Sequence, residues 1–146
     1  MKRTMLLLVM GITLVLAASP GLFAQNVQEL IDDGIEKCQE GKYDAAISDF
    51  NQVLKAKPND ANIITFRGVA YYAKGQNDRA LQDFNEALKI NPSHPRAHYQ
   101  RAMVYYHQQK YEAAIADLQK AKSLGHGIDP LFIEHIQREA ELKKQK

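Results

Sequence analysis

One pattern of small, aromatic and proline residues returns every 34 positions, and a chain that does this is built as a stack of equal units. Its clearest copy runs from Ala61 to His94 and holds Gly68, Tyr71, Gly75, Ala80, Phe84, Ala87 and Pro92. The copy before it has Gly34, Gly41, Ala46, Phe50, Val53 and Pro58; the copy after it has Ala102, Tyr105, Ala114, Leu118 and Ala121. Nothing is inserted between copies, so the register is unbroken over 102 residues, in units 27–60, 61–94 and 95–128. A unit of this length cannot bury an apolar face alone, and each must therefore pack on its neighbours.

Within the second unit, residues 62–74 and 78–90 carry helical periodicity, and Gly75-Gln76-Asn77 between them is turn chemistry. Gly41 ends the matching helix of the first unit where a left-handed backbone is needed. Asn59-Asp60 and Ser93-His94 follow a proline and can cap the next helix. Ala46, Ala80 and Ala114 are small where the two helices of a unit cross; Phe50, Phe84 and Leu118 fill the space beyond.

The residues at these places resemble the tetratricopeptide repeat family, a 34-residue helix–turn–helix unit. That resemblance implies an all-α fold, an α-solenoid of three stacked helix pairs wound into a right-handed superhelix. The third unit departs from the pattern: Gln109 stands where the others have Gly, Lys122 replaces Leu54 and Leu88, and Gly125-His126-Gly127 replaces the proline exit. A terminal unit has this character because its outer face meets a cap. Asp129-Pro130 then opens a last helix, with Phe132, Ile133, Ile136 and Leu142 as its apolar side, and residues 129–146 are the expected C-terminal capping helix. Asp49, Asp83 and Asp117 recur in second helices, while Arg67 and Arg101 recur in first helices. We expect pairs between units, Asp49–Arg67 and Asp83–Arg101, with Asp117–His135 at the cap.

Lys2 and Arg3, the apolar run Met5 to Ala18 and the exit Leu22-Phe23-Ala24 read as a signal peptide, residues 1–24. The run has 14 residues, short for a helix that must cross about 30 Å of hydrocarbon; an uncleaved anchor is the alternative. A periplasmic or secreted location is expected, with no membrane insertion after signal removal. Losing Lys2 and Arg3 with no acidic residue takes the formal charge from +2 to zero, which leaves no strong field for nucleic acid. Cys38 is the single cysteine, so an exported chain must hold together by packing.

The sequence carries no phosphate loop, nucleophile elbow or paired-cysteine motif, and we expect no enzyme, cofactor or metal. His94 and His98 are four apart, but a zinc site needs more ligands than two. The informative residues lie on first helices. Gly68, Tyr71 and Ile64 face the partner helix of their unit, while Thr65, Val69 and Tyr72 face the other way, with Phe66 at the edge. Ile31, Ile35 and Cys38 continue this stripe in the first unit, and Arg96, Tyr99, Met103 and Tyr106 in the third, flanked by Gln100 and His107.

In the family this stripe lines the hollow side of the superhelix, where peptides or helices bind. The resemblance therefore implies a partner-binding groove of Ile31, Ile35, Phe66, Val69, Tyr72, Arg96, Tyr99, Met103 and Tyr106. It would suit a protein or peptide segment with apolar anchors. Some members grip a partner's terminal carboxylate with Lys, Asn and Arg; here Ile31, Ile35 and Phe66 hold such places and only Arg96 matches in charge. The function implied is a non-catalytic exported scaffold or adaptor; the alternative is a self-associating component of an envelope complex, a homo-oligomer.

Overall fold

The computed structural model describes residues 20–145, with side chains from residue 26 onward. It holds seven helices and, among the described residues, no strand: α1 Pro20–Gln39, α2 Tyr43–Ala56, α3 Ala61–Ala73, α4 Asn77–Ile90, α5 Pro95–His107, α6 Tyr111–Ser123 and α7 Pro130–Lys144. The chain is an all-helical repeat solenoid. The expected signal peptide, residues 1–24, lies outside the described residues except for its last five, whose backbone forms the start of α1. Helix α1 therefore begins seven residues before the repeat pattern does.

Each helix pair closes through the same turn. The amide three residues past the helix returns to a carbonyl five earlier, in Lys42 to Lys37, Gln76 to Tyr71 and Lys110 to Tyr105, at 2.8–2.9 Å. This turn needs one left-handed residue, supplied by Gly41 at φ 77° and Gly75 at φ 81°. In the third unit Gln109 takes that conformation at φ 56°, at a cost of about 1–2 kcal/mol for a residue with a Cβ. The starts of α3, α5 and α7 are capped by side chains: Asp60 accepts from the Asn62 and Ile63 amides, the His94 ring from Ala97 and Asp129 from Leu131.

Ala46, Ala80, Ala114, Phe50, Phe84 and Leu118 are all fully buried at the crossings. The opposing residues explain the pattern. A Cβ on Gly34 would lie 2.7 Å from the Phe50 ring, and one on Gly68 would lie 2.6 Å from Phe84. In the third unit the same contact is Ala102 with Leu118, a larger residue facing a smaller one, so the filled volume stays similar.

Helix α3 touches both α1 and α5, whereas α2, α4 and α6 have no comparable contact with one another. The row thus curves toward its first helices, and their free side is the inner face. Helix α7 packs on α6 through Ile133, Ile136 and Ala140. Leu142, expected on that apolar side, is 57% exposed, because it falls about a third of a turn away from Ile136. Three polar ties add to the docking: Tyr111 to Glu139, Lys143 to the Gln109 carbonyl and Lys144 to Glu112.

Candidate partner-binding groove

The first helices present two sides besides the one that meets their own partner helix. One is a polar seam. Arg67 donates through Nε and one terminal nitrogen to both oxygens of Asp83, at 2.8 and 2.7 Å, and through the other to Asn51 at 2.8 Å. Arg101 repeats this with Asp117, at 2.6 and 2.8 Å, and with Asn85 at 2.7 Å. The carboxylates are 6% exposed, and their hydrogen bonds hold both guanidinium pKa values above the ordinary arginine range.

These pairs correct the expectation of Asp49–Arg67 and Asp83–Arg101. Arg67 and Asp83 stand equally far from the turn at Gly75, and in an antiparallel pair such positions face each other. The link between units runs instead through Asn51 and Asn85. Asp49, without an Arg across from it, is met at 2.6 Å by Lys37 one turn further along α1. Asp117 takes Arg101 and His98, the latter at 2.9 Å, and His135 is exposed and away from it.

His94 and His98 are both buried, and all four ring nitrogens have protein partners. In His94, Nδ1 accepts from the Ala97 amide, so Nε2 carries the proton and donates to Asn62 at 2.9 Å. Burial pushes the His94 pKa below its ordinary value of 6.5. His98 faces the Asp117 carboxylate and the Pro92 carbonyl. Among the described residues no cluster of three or more His, Cys, Asp or Glu is placed to hold a metal ion.

The other side is the inner face. Ile31, Ile35, Phe66, Val69, Tyr72, Tyr99, Met103 and Tyr106 are half-buried on it, and Arg96 is exposed. Thr65, placed in this stripe by its spacing, is fully buried and donates to the Ala61 carbonyl at 2.7 Å. Part of the stripe is braced from beneath: Phe66 stacks on Phe50 at 6.0 Å, Tyr99 lies 4.6 Å from the His126 ring, and Tyr106 meets Phe132 at 5.7 Å. Ile31 and Ile35 pack on the core of the first unit.

Two hollows interrupt this surface. One, of about 270 Å³, lies among Ile35, Cys38, Phe50, Phe66 and Val69, with Gln39 and Arg96 also lining it. The Arg96 guanidinium sits over the Phe66 ring at 5.1 Å. The second, of about 300 Å³, lies between Tyr99, Met103, the 127–129 loop and Phe132. Burial raises the Cys38 thiol pKa, so the thiol is protonated near neutrality and packs as an apolar group. Sequence reasoning did not find the Asn51 and Asn85 arms or the His98 bond, although both asparagines recur at the 34-residue period.

Family models described as tetratricopeptide repeat or TPR repeat match residues 38–82, 68–109 and 95–125. Among solved structures, a MamA mutant is 30% identical over 70% of this chain and 74% of that one, with a TM-score of 0.60. The first TPR of Spaghetti (RPAP3), solved with an HSP90 peptide, is 26% identical over 78% and 92%, with a TM-score of 0.71. The type III secretion chaperone SycD of Yersinia enterocolitica, solved with a peptide of the translocator YopD, shares the fold at 21% identity, covering 82% and 95%, with a TM-score of 0.69. A comparison with curated proteins gave no match.

Proposed function

Because the chain belongs to the tetratricopeptide repeat family, we propose that it is a non-catalytic exported scaffold that holds a peptide or helix of a partner protein along its inner face. The observation that carries this reading is the row Val69, Tyr72, Tyr99 and Met103, half-buried and interrupted by two apolar hollows. Aromatic and methionine side chains supply contact area that adapts to an apolar anchor. The structural relative bound to an HSP90 peptide supports peptide binding as the mode. Export rests on the order of basic, apolar and small residues in positions 1–24.

The test is co-precipitation from an envelope extract with wild type and with Tyr72→Ala combined with Met103→Ala. Tyr106 is left intact because it also braces α7. A partner held by wild type and lost by the double variant supports the groove; a partner retained by both refutes it.

Self-association is the second reading, and one observation favours it. Residues 25–60 carry eight acidic and four basic side chains, while residues 95–146, the third unit with its capping helix, carry six acidic and nine basic. Opposite ends of the row thus have opposite charge, which suits head-to-tail contact between copies. Sedimentation at low and high salt decides it: a monomer at both excludes the second reading.

A further inference from the structure

Resting on the groove reading above, we propose that the occupant carries an apolar side chain beside an internal Asp or Glu: the apolar group fills the hollow between α1 and α3, and the carboxylate bonds Arg96. The hollow is about 270 Å³ and walled by Ile35, Cys38, Phe50, Phe66 and Val69. That lies just below the roughly 300–1,000 Å³ usual for a small-molecule site and suits a side chain of a longer ligand.

The charge comes from Arg96. Three arginines stand on α3 and α5, and two are held by carboxylates: Arg67 by Asp83 and Arg101 by Asp117. Among the described residues no carboxylate lies within ion-pairing distance of Arg96, which is exposed on the rim of the hollow. Its guanidinium is instead steadied over the Phe66 ring, with its donors left for a ligand. The row beside it (Val69, Tyr72, Tyr99, Met103, Tyr106) has no acidic side chain to oppose an incoming anion. A guanidinium holds one carboxylate through two parallel bonds. Gripping a chain terminus as well would need further donors where Ile31, Ile35 and Phe66 stand. The fit is therefore to an acidic residue within a segment.

Cys38 lines the hollow and is the single cysteine of the chain, so its alkylation reports occupancy. The probes are fluorescent octapeptides, acetylated, with a central Leu followed by Asp, Asn or Lys, each made with an amidated and with a free C-terminus. Anisotropy gives affinity, and the rate of Cys38 reaction with N-ethylmaleimide gives protection. The Leu-Asp peptide should bind about tenfold tighter than Leu-Lys and should slow alkylation most. Arg96→Glu, a change at an exposed site with circular dichroism as the folding control, should invert that order. Equal binding of Asp and Lys peptides, or an order unchanged in Arg96→Glu, overturns the carboxylate assignment and leaves the groove standing. So does binding that needs a free C-terminus. Peptides that neither bind nor protect Cys38, whatever their charge, overturn the groove itself and this assignment with it.

Discussion

The seam and the inner face are carried by the same first helices, yet one is complete and the other is not. Along the seam, every guanidinium bond of Arg67 and Arg101 ends on a side chain of the chain itself. Along the inner face, aromatic and aliphatic groups are only half covered and, among the described residues, Arg96 meets no carboxylate. Stability therefore rests on the seam, and recognition, on the function proposed above, would rest on the inner face: a change in the seam should destabilise the protein, and a change on the inner face should leave it folded but without its partner.

The largest effect is expected at the seam. Arg67→Met leaves the Asp83 carboxylate buried without its cation and should lower stability by about 3 kcal/mol in urea unfolding. Adding Asp83→Leu to Arg67→Met should recover most of that loss, since an apolar pair replaces the ionic one. Gly68→Ala sets a Cβ 2.6 Å from Phe84 and should lose about 2 kcal/mol by overpacking, less the gain in helix propensity. Phe84→Leu should rescue it by rebuilding the Ala102–Leu118 contact of the third unit.

On the inner face, Tyr72→Ala and Met103→Ala should each cost only about 1 kcal/mol of stability, as half-buried residues, while abolishing partner capture. A loss comparable to that of Arg67→Met would erase the division between the two surfaces. Gln109→Gly touches neither and should raise stability by about 1 kcal/mol, because Gln109 now holds a left-handed backbone. The smallest effect concerns pH. His94 is neutral in the fold and its pKa is lowered, so the unfolded chain takes up the proton first. Its contribution is full above the ordinary value of 6.5 and is lost as pH falls through the lowered one. The stability lost between pH 7 and 5 should shrink in His94→Asn, which keeps a capping side chain.

The repeat itself was legible because period and turn chemistry are local: Gly41 and Gly75 each announce a left-handed residue, and Asp60 and Asp129 each announce a helix start. The pairing of charges was not. Asp49 lies eighteen residues before Arg67 and Asp83 sixteen after it, a difference that sequence spacing cannot rank. Reflection about the turn decides it, since Arg67 and Asp83 sit eight positions on either side of Gly75. Thr65 shows a second limit. Its angle on the helix matches the stripe, yet it is fully buried and spends its hydroxyl on the Ala61 carbonyl within the first turn of α3. The stripe residues themselves were readable as apolar positions on first helices, whereas the hollow beside Arg96 depends on how four helices, α1, α2, α3 and α5, lean together.

The arginine clamp stops before α7. At the place of Arg67 and Arg101 that helix has His135, exposed, and its docking relies on Ile133, Ile136 and Ala140, the half-buried Phe132 and three polar ties. In a linear array of this kind each segment opens against its neighbour's grip, so amide protons of α7 should exchange with solvent well before those of α3 to α5. Opening of that kind would release Phe132 from Tyr106 and widen the second hollow from one end, making the far end of the groove a hinged door.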